Sequence, residues 1–120
     1  MGTSQPERFD AVVRAGYLAP YRSWHDRIAI LRFVQDIPMK NSHPTRETID
    51  EIESRLHLLR DIPKLILWGE DDPVFTTDTF LDGFRVHFPD AEVHELANAG
   101  HFVVEDAHER IIPLMRKFLS

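Results

Sequence analysis

The sequence contains no cysteine. Disulfides, thiol nucleophiles and thiolate metal sites are therefore excluded, and the compartment reads as cytoplasmic. Glycine is scarce too, with Gly2, Gly16, Gly69, Gly83 and Gly100 alone in 120 residues. No two of them stand four apart, so the sharp elbow that presents a nucleophile between two glycines is absent. None of the seven histidines precedes a glycine, which removes a His-Gly oxyanion motif as well. Basic residues are outnumbered, 14 Lys and Arg against 20 Asp and Glu, for a net charge of −6. That balance argues against a nucleic-acid partner, which needs clustered cations to neutralise phosphates. No apolar stretch approaches the ~20 residues that span a bilayer. Glu7, Arg8, Asp10 and Arg14 interrupt the region where a signal peptide would need an apolar core. Met1-Gly2 is not a myristoylation start, because Pro6 stands where Ser or Thr is required. His94-Glu95 and His108-Glu109 open like a zinc motif, but neither has a second histidine four positions on. No metal and no cofactor is expected.

What remains is an ordinary globular composition, 42% hydrophobic and 28% charged, so a packed fold is affordable. The length suits one domain or a piece of one. Phe9, Val12 and Val13 predict a short amphipathic helix over 9–15, with Gly16 as its stop. Ser23 reads as an N-cap with Asp26 adding charge in the first turn, and Trp24, Ile28, Leu31 and Val34 share a face up to Pro38. Ile49, Ile52, Leu56 and Leu59 mark another helix, opened at Pro44 or Thr45 and broken at Asp61-Ile62-Pro63. The run from Lys64 to Trp68 predicts a strand covered on both faces. A helix follows, capped at Thr77 or Asp78 and burying Phe80, Leu81, Phe84 and Phe88. Ala91 to Leu96 predicts a second strand with Glu92 and His94 on the wetter face. A last helix over 107–119 would bury Ile111, Leu114, Met115 and Phe118, bend at Pro113, and be favoured by the charge of Glu105-Asp106 at its start.

Strand, helix, strand, helix is the pattern of a parallel α/β sheet with one right-handed crossover. Two parallel strands cannot make a doubly covered sheet, and the first ~60 residues add no strand. The chain therefore reads as the C-terminal portion of a larger α/β protein, with an incomplete sheet.

Functional side chains in such sheets gather beyond the carboxyl ends of strands. Asp72 lies four residues past Trp68, and His101 lies five past Leu96. An aspartate can accept from one ring nitrogen, fix the tautomer and leave the other nitrogen free as a base. Gly100 would let the backbone turn and present the ring.

Two segments carry a family resemblance: Trp68-Gly69-Glu70-Asp71-Asp72-Pro73-Val74-Phe75, and Gly100-His101-Phe102. They resemble the acid and histidine segments of cap-bearing α/β-hydrolases, above all the haloalkane dehalogenase-like group. Tyr17-Leu18-Ala19-Pro20-Tyr21 and Arg32-Phe33-Val34-Gln35-Asp36-Ile37-Pro38 resemble the end of the helical cap and its return. Within the group they are also similar to β-lactone decarboxylases, with epoxide hydrolases as neighbours. The resemblance implies an α/β-hydrolase fold in which residues 1–43 end the cap and 44–120 close the main domain. It implies Asp72 as triad acid, His101 as base, and an upstream aspartate that forms an alkyl- or acyl-enzyme. It implies a small or lipid-like apolar substrate, with Tyr21, Trp24 and Phe33 as pocket candidates, although aromatic residues at helical spacing are more often plain core.

Two alternatives stand beside that expectation. A truncated, non-catalytic chain could serve as an interaction module, covered by the N-terminal half or by self-association. A serine nucleophile would make the parent an ester or carbon–carbon hydrolase.

Overall fold

Asp10 starts the first α-helix of this computed structural model, which describes residues 2–120, after a 3₁₀ turn at Pro6–Arg8. Its carboxylate accepts from the amides of Val12 and Val13 at 2.8 and 2.9 Å and caps helix α1, Ala11–Leu18. Gly16 does not stop this helix. It lies inside, at a cost of about 1 kcal/mol, and the extra turn lets Tyr17 pack on Phe9 and Phe102.

Ser23 and Asp26 cap each other as the pattern predicts: the Asp26 amide donates to Ser23 Oγ, and the Ser23 amide donates to the Asp26 carboxylate. A tight turn then feeds helix α2, Ile28–Gln35. Helix α3 is Arg46–Arg55 and runs into a 3₁₀ turn, Leu56–Leu59. The Lys64 ammonium closes that end by donating to the carbonyls of Leu59, Arg60 and Ile62, and its charge sits 4.9 Å from the Phe88 ring centre.

Strands β1, Leu65–Gly69, and β2, Glu92–Leu96, pair in parallel, with Leu65 opposite Glu92 and Gly69 opposite Leu96. Between them come a wide helical turn, Thr77–Leu81, and helix α4, Asp82–His87. Arg85 ties α4 to β2 by bridging Asp82 and Glu95. Helix α5, Val103–Phe118, follows β2 and packs on β1. It starts four residues before the predicted 107. Its non-helical residue is Ala107, at φ −144° and ψ 22°, so the break falls beside buried Asp106 and not at Pro113.

The core is small. Leu96, Ala99, Ala107 and Ile111 form it, with Leu67 and Val103 against its edge. Several predicted core positions are uncovered. Of the α4 stripe, Leu81 and Phe88 are buried, while Phe80 and Phe84 are each more than 40% exposed. Met115 is exposed on α5, and the residues of β1 before Gly69 are only half-buried. The reason is the same at each place. Among the described residues the sheet has two strands, so no layer exists to cover the outer apolar faces.

Size makes this quantitative. A compact 120-residue domain has a radius of gyration of about 14 Å, whereas this chain measures 16.9 Å. A compact monomer of 14.0 kDa exposes about 6,700 Å². This chain exposes 9267 Å².

Candidate active site

The site forms where the two strands end. Beyond Gly69 the ladder continues into the loops: the Glu70 amide donates to the Leu96 carbonyl at 3.2 Å, and the Asp71 amide to the Ala99 carbonyl at 2.9 Å. The two loops are thereby held as one body. Gly69 is required for this. A Cβ there would lie 2.5 Å from the carbonyl oxygens of both Ala99 and Gly100. Asn98, at φ 56°, makes the turn between β2 and the histidine loop, a left-handed conformation that asparagine tolerates well.

In the first loop Asp72 Oδ1 accepts from the amides of Val74 and Phe75 at 2.8 and 3.0 Å. This Asx turn, with Pro73 fixing the next backbone angle, sets the carboxylate. Trp68 Nε1 donates to the Phe75 carbonyl at 3.1 Å and pins the far end of the turn. In the second loop His101 points back. Its Nδ1 lies 3.0 Å from Asp72 Oδ2 and 3.2 Å from Oδ1. An ionised carboxylate only accepts, so Nδ1 carries the proton and Nε2 keeps its lone pair. Phe75 packs on the imidazole at 5.3 Å between ring centres, and Phe102 meets it edge-on at 5.9 Å.

Burial pushes the Asp72 carboxyl up, and the donors Phe75, Val74 and His101 together outweigh it, so its pKa falls below 3.8. Burial likewise acts upward on Asp106, and Thr3, Gly100, Ser4 and Gln5 outweigh it. Both folded values lie below the unfolded one, so these bonds stabilise the fold above pH 3.8 and are lost as the pH falls through the folded values. Acid titration followed by amide NMR should therefore show the Val74 and Phe75 amides moving with Asp72 and the Gly100 amide with Asp106, each with a midpoint below 3.8. Movement of these amides between pH 5 and 7, alongside none in acid, would contradict that assignment.

A cavity of about 280 Å³ opens at the pair, walled by Leu67, Trp68, Phe75 and Val103 with Asp72 and His101 at its polar side. Its apolar walls and single polar edge suit an apolar ligand. The candidates Tyr21, Trp24 and Phe33 do not line it. Trp24, 86% exposed, borders a separate apolar hollow of about 510 Å³ with Ile28, Leu31 and Val34. Phe33, 79% exposed, borders another with Arg32 and His43. Tyr21 is half-buried. Among the described residues no His, Asp or Glu cluster could hold a metal ion. Among the described residues no helix is long and apolar enough to cross a membrane.

Asp106 was legible only as charge near a helix start. In the structure it is fully buried and accepts from the Gly100 amide at 2.8 Å, the Ser4 amide at 2.9 Å and the Thr3 hydroxyl. The sequence signal for this was weak, because the donors Thr3 and Ser4 lie about a hundred residues away.

No protein-family model matches the chain. Individual proteins do. A cis-3-alkyl-4-alkyloxetan-2-one decarboxylase of Shewanella oneidensis is 41% identical over 108 residues, which is 90% of this chain and 34% of that protein. The protein of the same name from Xanthomonas campestris is 40% identical over 113 residues, 94% of this chain and 37% of its own. The chain is homologous to α/β-hydrolases. The haloalkane dehalogenase-like side of that family is represented as well. Haloalkane dehalogenase 2 of Mycobacterium tuberculosis is 33% identical over 95 residues, 78% of this chain and 33% of the dehalogenase. The chain thus spans about a third of the length of the α/β-hydrolase relatives it matches. These relatives are named as enzymes, a decarboxylase and a dehalogenase.

Proposed function

We propose that the chain is the C-terminal portion of a cap-bearing α/β-hydrolase, in which Asp72 is the triad acid and His101 the general base. The observation that carries this is the 3.0 Å approach of His101 Nδ1 to Asp72 Oδ2, beyond the carboxyl ends of two neighbouring parallel strands. Residues 1–43 end the cap and 44–120 close the main domain. The nucleophile comes from the part of the parent that the relatives have and these 120 residues lack. The surface supports the same reading. The chain exposes about 2,600 Å² more than a compact monomer of its mass. That excess is of the size lost when a domain core is cut in two.

The parent acts on a small or lipid-like apolar substrate. The higher identity to the oxetanone decarboxylases than to the dehalogenase favours a β-lactone over a haloalkane. In either case an upstream carboxylate attacks a substrate carbon and forms a covalent ester adduct; with a β-lactone the ring carbon–oxygen bond breaks as the new one forms, and the freed oxygen stays on the substrate as its own carboxylate. With a haloalkane the carbon–halogen bond breaks as the carbon–oxygen bond forms, and halide leaves. His101 Nε2 then takes a proton from water, and the hydroxide attacks the ester carbonyl to release the alcohol. Asp72 stabilises the imidazolium formed in that step. On its own the chain turns nothing over, since no nucleophile elbow is present.

A second reading, a non-catalytic interaction module, is favoured by the same exposed apolar surface, which a partner could cover. One experiment separates them. The matched third of the Shewanella oneidensis decarboxylase is replaced by this chain, and turnover of that enzyme's oxetanone is measured. A folded chimera should retain turnover. A chimera that folds with the parental melting behaviour yet has none would sink the catalytic reading.

A further inference from the structure

The Ala99–Gly100 peptide, one residue before His101, is gripped from both sides. Its carbonyl, Ala99 O, accepts from the Asp71 amide at 2.9 Å, on the acid loop. Its amide, Gly100 N, donates to Asp106 Oδ2 at 2.8 Å. The unit cannot rotate without breaking one of these bonds, and it fixes the direction in which the chain enters Gly100, from which His101 follows. Asp106 has no ion pair among the described residues. Its charge is held wholly by donors, from Gly100, Ser4 and Thr3. Bonds to an ionised acceptor are roughly twice as strong as neutral ones, so this is a strong hold on the histidine loop.

The arm that supplies the other donors closes the cradle. The Phe102 amide donates to Gly2 O at 3.1 Å, and Gln5 Nε2 reaches the carbonyls of Asn98 and Asp106. A Cβ on Gly100 would stand 2.7 Å from Gly2 O. Arg8 and Glu109 fasten the same arm further along α5, at 2.7 Å, and Arg8 draws the Glu109 carboxyl down to about 2.

We infer that Asp106 is a positioning residue for the base: by setting the Ala99–Gly100 peptide plane it aims His101 Nδ1 at Asp72. The inference rests on the reading of His101 as base and adds to it the group that keeps the ring aimed. Asp106 never touches the reacting atoms. It acts through one backbone bond.

The test uses the 120-residue chain, with ¹⁵N and ¹H NMR of the His101 ring at neutral pH. The wild-type chain should show one tautomer, protonated at Nδ1, with that proton at low field. Asp72→Asn should lose the signal, since its partner is gone. Asp106→Asn should also lose it and give a mixture of tautomers, while the β1–β2 ladder amides keep their shifts. Asp106→Glu keeps the charge but displaces the carboxylate, and should weaken the signal without abolishing it. Arg8→Ala loosens the arm without touching Gly100, and should leave the ring unchanged. A wild-type tautomer in Asp106→Asn overturns the inference and spares the pairing of Asp72 with His101. Loss of the ladder together with the ring signal overturns it equally, because Asp106 would then hold the fold and not the ring. An unchanged ring in Asp72→Asn overturns the reading beneath it.

Discussion

Replacing His101 with alanine in the Shewanella oneidensis chimera should lower steady-state turnover by about 10²–10⁴-fold, the usual worth of a placed general base. The loss should fall on one stage of the cycle. Formation of the covalent adduct needs the upstream carboxylate, whereas its breakdown needs a proton acceptor. Intact-mass analysis after one exposure to substrate should therefore find the variant heavier by one adduct, while the unmodified chimera returns to its starting mass. Imidazole added to the buffer should restore part of the turnover, by occupying the space the ring leaves. Ordinary multiple turnover in the alanine variant would show that His101 is not the base.

Substituting Gly69 with alanine should destabilise the chain by at least ~1–3 kcal/mol, the range for overpacking a filled site. The usual escape is closed here. Both atoms in the way are backbone carbonyl oxygens, at 2.5 Å, and both belong to the loop that presents the histidine. The strand end must part from that loop, breaking the bond from the Asp71 amide to Ala99 O. Denaturant titration should show a lower midpoint, and the His101 ring proton should lose its low-field position. An alanine variant with the wild-type midpoint would mean that the strand and loop are not this close in solution. Gly83 offers an internal control: nothing lies within 4 Å of a Cβ there, so its alanine variant should be unchanged or slightly more stable.

Both strands, and the two loops that bring Asp72 to His101, were legible in the sequence because their signals are local. An apolar run from Leu65 to Trp68 ends in a turn-forming Gly-Glu-Asp-Asp-Pro, and a second run ends in Gly-His. Parallel pairing in register then leaves Asp72 and His101 no great distance to cover. The helices were legible where capping chemistry is strong, as at Ser23 and Asp26. Gly16 misled because helix propensity is a weak term, and an aromatic contact from Tyr17 to Phe102 outweighs it. Burial was read least well. Periodicity at Phe80, Phe84 and Met115 reports which face seeks cover, and cover depends on layers that a two-strand sheet does not have. Asp106 was missed for the opposite reason. Its meaning comes from Thr3 and Ser4 at the other end of the chain, and no local pattern encodes such a meeting.

The bonds that carry the ladder past the strand ends have a further consequence. Since Glu70 binds Leu96, and Asp71 binds Ala99, neither loop can change shape alone. A substitution that shifts the acid is transmitted to the histidine through two backbone bonds, and the reverse holds as well. The pair therefore forms a single heritable unit. As related enzymes part ways and take on new substrates, the residues around 70–72 and 96–101 should vary together or stay fixed together. On the proposed catalytic reading, specificity would be left to evolve on the walls of the cavity, where a side chain can be exchanged without disturbing the Asp72–His101 pair.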